Sequence, residues 1–218
     1  MANVKEIRSV ILDCDGVMFD TATVNRIYYN RILRHLGKAE MTDEEFAYAH
    51  MHTADESLAR MFPDPAEYAA AQSFRRLMPY GDFIAYMEPE PCLKPLLRQL
   101  RPRYKTAIAT NRTDTMPRVL AEFDLKDHFD MVVTALDVEN PKPHPEGLFK
   151  ILEHFRLSPA QALYVGDTQL DEIAANAAGV VFAAFKNTDL SADFHISGLK
   201  EIADILDLEV KDCAVRAD

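Results

Sequence analysis

The fold of this chain is decided by its first apolar run and the residues directly after it, Val10-Ile11-Leu12-Asp13-Cys14-Asp15-Gly16. A short β-branched run that stops at acidic and glycine residues is typical of a buried parallel strand ending in a turn. Similar runs predict further strands at 106–110, 131–133, 162–165, 180–184 and 194–196. Amphipathic stretches between the runs predict helices at 114–123, 145–155 and 169–178. This alternation predicts an α/β fold, with a parallel sheet covered on both faces.

One long segment, residues 22–88, breaks the alternation. Its periodicity predicts helices at 25–36, 55–62 and 66–78, and a capping box, Thr42-Asp43-Glu44-Glu45, predicts another helix start. Nothing in the segment has the pattern of a strand, and the proline-rich Glu88-Pro89-Glu90-Pro91 closes it. We therefore predict an all-helical cap at 21–88, inserted into an α/β core formed by 1–20 and 89–218.

Composition narrows the classes of partner. The chain has 35 acidic against 24 basic side chains and a formal net charge of −11, which argues against nucleic acid and anionic membrane surfaces as partners. It shows neither the apolar stretch of a signal peptide nor the roughly 20 apolar residues of a membrane span. The three cysteines form no CxxC pair, which argues against structural zinc. We expect a cytoplasmic protein that binds a small charged molecule in a local pocket.

Polar side chains follow four of the predicted strands. They are Asp13 and Asp15, then Thr110 and Asn111, then Lys142, and finally Asp167 and Asp171. The carboxyl ends of parallel strands face one crevice, so these side chains are expected to converge. Converging carboxylates raise each other's proton affinity unless a cation lies between them. Because the ligands are oxygens with no His or Cys nearby, the sequence favours Mg²⁺ over zinc.

This set of side chains suits phosphoryl transfer. A carboxylate such as Asp13 beside a metal can attack phosphorus and form an aspartyl-phosphate, which water then hydrolyses. A second carboxyl group two residues later, Asp15, can protonate the leaving oxygen and then activate that water. A lysine and a hydroxyl–amide pair can neutralise the oxygens of the transferring group. The residues thus predict hydrolysis of a small phosphorylated metabolite.

Four stretches of the chain resemble the motifs of the haloacid dehalogenase superfamily, in the order and at spacings compatible with that family. They are Asp13-Cys-Asp-Gly-Val-Met-Phe-Asp20-Thr, Ala109-Thr-Asn111, Pro141-Lys142-Pro-His-Pro-Glu-Gly and Gly166-Asp167-Thr-Gln-Leu-Asp171. The tail of the last motif, up to Gly179, is similar to the phosphoglycolate phosphatase and β-phosphoglucomutase branch. The resemblance covers nearly the whole chain and implies a Rossmann-like core with a helical cap between the first two motifs.

The resemblance also implies a role for each matching residue. Asp13 would be the nucleophile and Asp15 the general acid and base, while Lys142 would stabilise the charge of the phosphoryl group. Thr110 and Asn111 would bind that group. The implied magnesium ligands are Asp13, the backbone carbonyl of Asp15, and Asp167, with Asp171 placing a metal-bound water or acting as a ligand itself.

The cap is expected to determine the substrate, and its sequence is less informative. Four residues lie where the family places its specificity loop and the following helix, namely His50, His52, Thr53 and Arg60. Arg75 and Arg76 are further cationic candidates for binding an anionic part of the substrate. Each of the six has a competing interpretation as a solvated surface group. The segment 49–53 also lacks the glycine expected in many relatives, so their substrates cannot be transferred to this chain.

Several other functions compete with phosphatase activity. Asp15 argues against dehalogenation, and the cap offers only Lys38 for the Schiff base that phosphonate cleavage requires. A sugar-phosphate mutase shares every core residue and remains an alternative. A non-catalytic phosphate- or metal-binding regulator is an alternative of another class, although such a protein would commonly have lost the nucleophile, the acid or the lysine.

Overall fold

The computed structural model describes residues 4–101 and 103–209, so the ends of the predicted core domain and Pro102 lie outside the described residues. In this part of the chain the strands are, in order, β1 (Ser9–Leu12), β2 (Phe19–Asp20), β3 (Glu88–Pro89), β4 (Lys105–Ala109), β5 (Met131–Val133), β6 (Ala162–Gly166), β7 (Val181–Phe185) and β8 (Phe194–Ile196). Six of them form one parallel sheet in the order β5-β4-β1-β6-β7-β8. The predicted α/β fold with a Rossmann-like parallel sheet is confirmed.

The helices of the described residues are α1 (Ala22–His35), α2 (Asp43–Met51), α3 (Ala54–Met61), α4 (Pro65–Leu77), α5 (Leu93–Leu100), α6 (Met116–Glu122), α7 (Glu146–Phe155), α8 (Gln169–Ala178) and α9 (Lys200–Ile205). A 3₁₀ segment, Tyr80–Tyr86, follows α4. The sequence pattern predicted neither α5 nor α9. None of the described helices combines the length and the apolar character needed to cross a bilayer.

Strand β1 lies at the centre of the fold and is buried along its whole length. Its side chains alternate between the two faces of the sheet: Val10 and Leu12 pack in one apolar cluster, and Ile11 packs in the other. The first cluster takes in residues of α5, α6 and α9, and the second takes in residues of α7 and α8. Burial on both faces explains why the strand is an unbroken apolar run rather than an alternating one.

Helices α1 to α4 share an apolar cluster of their own, whose members lie between Val24 and Phe83. Two short segments connect them to the sheet, and they pair as the antiparallel strands β2 and β3. The expectation of no strand within 22–88 is therefore wrong at Glu88, which pairs with Asp20. A two-residue strand is too short to show a periodic pattern, and the proline in β3 concealed it further.

The register of the sheet fixes where the functional candidates lie. Leu12 at the end of β1 is level with Ile108 of β4 on one side and with Val165 of β6 on the other. The residues that follow these strands therefore leave the sheet at one edge. That edge faces the helices α1 to α4, and it forms the floor of a cavity.

Candidate active site

Asp13 and Lys142 form the centre of the site. Asp13 accepts a hydrogen bond of 2.7 Å on Oδ1 from the amide of Cys14, and its Oδ2 lies 2.9 Å from Nζ of Lys142. Burial raises the pKa of Asp13 to about 7, although the charge of Lys142 acts in the opposite direction. Lys142 thus fixes the orientation of the Asp13 carboxylate. Its charge also favours the ionised form of Asp13, which burial disfavours.

A fully buried carboxylate, Asp171, fixes that lysine from the other side. Its Oδ1 accepts from Nζ of Lys142 at 2.6 Å and from the hydroxyl of Tyr164 at 2.5 Å. Its Oδ2 accepts from the amide and the hydroxyl of Thr168, at 3.0 and 2.6 Å. Burial opposes ionisation of Asp171, but the charge and hydrogen bond of Lys142 outweigh it and lower the pKa of Asp171. Both carboxylate oxygens are therefore occupied by protein donors.

Asp167 completes a group of three carboxylates. One oxygen each from Asp13, Asp167 and Asp171 lies within 4.8 Å of the others. Oδ1 of Asp167 is buried and has no hydrogen-bond partner, and burial together with the charges of Asp171 and Asp13 raises the pKa of Asp167 well above its usual range. An unpartnered buried carboxylate oxygen beside two further carboxylates fits a hard divalent cation, so this cluster could hold a metal ion.

Asp15 lies beside this cluster and makes a two-point ion pair with Arg112. Nε and Nη2 of Arg112 each donate to one oxygen of Asp15, both at 2.7 Å. The side chains are 7% and 16% exposed for Arg112 and Asp15 respectively. Burial would raise the pKa of Asp15, but the charge and hydrogen bonds of Arg112 prevail and lower it. In this arrangement neither oxygen of Asp15 is free.

The predicted phosphate-binding pair occupies two different environments. Thr110 is buried, and its hydroxyl accepts from the amide of Arg112 at 3.2 Å. The side chain of Asn111 accepts from the amide of Lys142 at 3.0 Å and donates to its carbonyl at 3.0 Å. It also donates to the carbonyl of Met51 in α2, at 3.2 Å. Asn111 therefore positions the loop that carries Lys142 and contacts α2.

A cavity of about 580 Å³ lies between this edge of the sheet and the helices above it. Asp13, Asp15, Thr110, Asn111 and Lys142 line its floor, and residues of α1, α2 and α4 line its roof. Two of the four predicted specificity residues, His50 and His52, line it as well. His50 lies 3.3 Å from Nδ2 of Asn25, and the ring of His52 stacks on Tyr48 at 3.7 Å.

The other two predicted specificity residues have contacts elsewhere. Thr53 is the N-cap of α3 and exchanges hydrogen bonds with Glu56. Arg60 lies over the ring of Tyr48 and pairs with Glu44 at 3.1 Å. Neither is among the residues that line the cavity. A role for either residue in specificity stays a prediction.

Comparison with known proteins identifies the family of this chain. The sequence model of the family described as haloacid dehalogenase-like hydrolase matches residues 10–185. The chain belongs to the haloacid dehalogenase-like hydrolases. The predictions of this family and of a hydrolase are therefore confirmed.

Individual members of the family are similar to this hydrolase over most of its length. A phosphoglycolate phosphatase of Nitrosospira multiformis is 32% identical over 79% of the chain and 80% of its own length. The pyrophosphatase PpaX of Bacillus pumilus is 28% identical over 81% and 82%, respectively. A solved hydrolase of subfamily IA from Geobacter sulfurreducens is 38% identical, covers 92% of this chain and 97% of its own, and has a TM-score of 0.77.

The sequence analysis of this haloacid dehalogenase-like hydrolase missed two residues of the site. Arg112 directly follows Thr110-Asn111, and Tyr164 lies in the strand before Asp167. The position of Arg112 beside a motif was an available signal. Tyr164 gave none, because a tyrosine in a buried strand is ordinarily a packing residue.

Proposed function

We propose that this hydrolase is a magnesium-dependent phosphatase that hydrolyses a small phosphomonoester through an aspartyl-phosphate on Asp13. The proposal rests chiefly on one observation: Asp13, Asp15 and Lys142 line the floor of one cavity, and Asp13 belongs to a carboxylate cluster that holds an unpartnered buried oxygen. The phosphatases and pyrophosphatases among its relatives support it. We also propose that residues 21–88 act as the cap of this cavity.

Each residue has a defined part in the proposed reaction. Oδ2 of Asp13, next to Lys142, forms a bond to phosphorus while the bond from phosphorus to the leaving oxygen breaks. Asp15 acts here in its protonated form, having taken up a proton from solvent, and gives that proton to the leaving oxygen, so the product leaves as an alcohol. In the second half, Asp15 takes a proton from water, the water oxygen bonds to phosphorus, and the carboxylate of Asp13 is released with free phosphate.

Lys142 supplies the positive charge that offsets the negative oxygens of the transferring group. Asp171, Tyr164 and Asn111 do not need to touch the substrate, since their contacts fix the ammonium group and the backbone of Lys142. The hydroxyl of Thr110 is available to the phosphoryl group at the floor. The cap limits the access of bulk water to the reacting atoms.

The groups that would hold Mg²⁺ are the side chains of Asp13 and Asp167 and the backbone carbonyl of Asp15. Asp171 lies next to them. When bound, the ion offsets the charge of the carboxylates and of the phosphoryl oxygens. Asp171 already has four protein donors, which supports a role for it in placing Lys142 and a water rather than in direct coordination. The location of the protein in the cytoplasm stays a prediction.

The test is release of phosphate from a panel of small phosphomonoesters, with Mg²⁺ and with chelator, by wild type and Asp13→Asn. We expect metal-dependent release that falls by more than about a thousandfold in the variant. Asp204→Asn, a change of the same chemistry at an exposed position of α9, is the control and should retain activity. Substantial turnover by Asp13→Asn would exclude the mechanism.

The mutase alternative is tested in the same assay. If wild type releases no phosphate from any compound, the panel is examined for isomerised sugar phosphates, with a sugar bisphosphate added as activator. Isomerisation without hydrolysis would identify a mutase. Binding of Mg²⁺ with neither reaction would identify a regulator.

A further inference from the structure

A buried carboxylate, Glu90, lies where the chain returns to the sheet after helices α1 to α4. It directly follows β3, and its side chain is 5% exposed. A carboxylate is unfavourable at such a position unless a cation pairs with it. The ammonium group of Lys186 is that cation. Lys186 directly follows β7, which ends at the same edge of the sheet as β6, because Gly166 is level with Ala184. The ion pair therefore joins the segment that leaves the helices to a loop beside the functional site.

The loop after β7 also contacts the carboxylate cluster, through the residue that follows Lys186. Nδ2 of Asn187 donates to the backbone carbonyl of Asp167 at 2.9 Å. Oδ1 of Asn187 accepts from the amide of Asp189 at 3.1 Å, which fixes the orientation of the Asn187 amide group. The carboxylate of Asp167 has a buried oxygen, Oδ1, without a hydrogen-bond partner. Asn187 thus holds the backbone that carries this carboxylate.

Glu90 is bound to the other loop of the cluster as well. Its amide donates to the carbonyl of Met18 at 2.9 Å. Met18 lies in the turn that begins after Asp13 and contains Gly16. This turn lies against Asp167, since a Cβ on Gly16 would be 2.1 Å from Oδ2 of Asp167. The loop that carries Asp13 and the loop that carries Asp167 are therefore connected through Glu90 and the loop after β7.

The backbone of Lys186 is strained at this connection. Its φ is +51°, in the left-handed region that residues other than glycine rarely adopt. Its amide donates to the carbonyl of Ile196 in β8 at 2.8 Å, and its Nζ lies 4.9 Å from the centre of the Phe185 ring. A strained conformation persists only where the surrounding contacts determine it, and such residues cluster at functional sites. Glycine would relieve the strain here, but it has no cation to offer Glu90.

We propose that Lys186 and Asn187 are positioning residues for the metal site, which hold Asp167 beside Asp13 by linking the backbone of Asp167 to Glu90. This inference rests on the proposed phosphatase function, because that reaction requires the ion that these carboxylates would hold. Neither Lys186 nor Asn187 lines the cavity, so both act through Asp167 and not on the substrate. Without the link, Asp167 can move away from Asp13, and the affinity for Mg²⁺ falls.

The test is binding of Mg²⁺ to the full chain by isothermal titration calorimetry, at about pH 8 and without substrate. We expect the dissociation constant to rise by about tenfold in Lys186→Met and in Asn187→Ser, because changes behind a metal ligand weaken binding by that much or more. The serine keeps an oxygen for the amide of Asp189 but is too short to donate to Asp167. Lys186→Arg keeps a cation for Glu90 and should stay within about threefold of wild type. Wild-type affinity in either Lys186→Met or Asn187→Ser would overturn the proposal.

Lys38→Met is the matched control, because it removes a lysine of similar exposure from another ion pair. The side chain of Lys38 is 40% exposed, against 48% for Lys186, and its Nζ lies 2.6 Å from Glu67. This variant should bind Mg²⁺ as wild type does. Thermal melting of all variants separates positioning from stability: a lower melting temperature with unchanged Mg²⁺ affinity would refute the proposal. If Lys186→Met does not fold, Asn187→Ser decides the matter, since it leaves the buried ion pair intact.

Glu90→Gln tests whether the ion pair acts as one link. Alone, or combined with Lys186→Met, it should raise the dissociation constant as much as Lys186→Met does, within about twofold, because the same link is broken each time. Effects that multiply in the double variant would show that the two side chains act separately, and would overturn the link.

Phosphate release distinguishes this inference from the proposed function. At saturating Mg²⁺, kcat of every variant should return to within about twofold of wild type, since only the affinity for the ion has changed. A kcat that stays low would contradict a role confined to the metal site. If wild type neither binds Mg²⁺ nor releases phosphate, the proposed function has failed and this inference with it. Wild-type activity with equal Mg²⁺ affinity in all variants refutes this inference alone.

Discussion

Gly16 permits a close approach between two loops of the site. Its φ is +78°, and a Cβ placed on it would lie 2.1 Å from Oδ2 of Asp167. No side chain can be accommodated at that distance without displacing the carboxylate. The glycine is therefore required both by the backbone conformation and by the approach of the loop after β1 to the loop after β6.

Replacing Gly16 by alanine should weaken metal binding. The methyl group pushes Asp167 away from Asp13, so the Mg²⁺ concentration for half-maximal phosphate release should rise by at least about tenfold. Gly37→Ala is the matched control, because Gly37 also has a positive φ, +70°, but nothing lies within 4 Å of its Cβ position. Both variants lose about 1 kcal/mol of stability from the backbone. An equal effect on the metal requirement in both would refute the explanation.

The start of α8 is part of the active site. Thr168 is its N-cap, and Asp171, three residues later, completes a capping box with it. The same Asp171 holds the ammonium group of Lys142. The carboxylate that accepts a hydrogen bond from the amide of the N-cap residue therefore also positions the lysine, so capping and catalysis are coupled in this element.

This coupling can be separated from helix stability by comparing two capping boxes. Thr168→Ala and Thr42→Ala each remove an N-cap, of α8 and α2 respectively, and each should cost about 1 kcal/mol in urea unfolding. Only Thr168→Ala should also lower kcat, because Asp171 loses the hydroxyl donor of Thr168 and Lys142 becomes less well fixed. An equal kcat for both variants would show that the capping box does not position Lys142.

At the scale of the whole molecule, the fold buries two carboxylates, Asp13 and Asp167, whose ionised forms a bound cation would stabilise. Burial raises the pKa of Asp13 from 3.8 to about 7, and that of Asp167 well above its usual range. Groups whose pKa is raised in the folded state favour folding fully at pH below the unfolded value. That contribution is lost as the pH rises through the folded value. The metal-free protein should therefore lose stability from these groups between about pH 4 and above pH 7.

Magnesium should reverse that loss, since it binds the ionised carboxylates. The rise in melting temperature on adding Mg²⁺ should be larger at about pH 8 than at about pH 5.5, because fewer protons have to be displaced. Asp13→Asn should show a smaller rise, with less dependence on pH. Melting curves with and without Mg²⁺ at both pH values provide the measurement. A rise that is the same at both pH values in wild type would contradict the assigned ligands.

The amino-acid sequence by itself determined the six strands of the parallel sheet, most of the helices and the order of the motifs. Runs such as Val10–Leu12 and the capping box at Thr42 are local patterns, and local patterns depend on neighbours along the chain. The sequence also predicts that Asp13, Thr110 and Asp167 converge, because each follows a strand and parallel strands end at the same edge of the sheet. The pair β2 and β3 was missed because each strand has two residues, too few to show a periodic pattern.

Only the tertiary structure decided what each polar side chain contacts. The partner of Asp15 lies 97 residues further along the chain, and Asn111 contacts both the Lys142 loop and Met51 of α2. The structure likewise directs Arg60 away from the cavity. The pair of Asp15 and Arg112 forms because β1 and β4 are neighbours in the sheet, and the contact with Met51 forms because α2 packs over the edge of the sheet. Partners so far apart in the chain are fixed by tertiary packing, so the local patterns of a sequence do not reveal them.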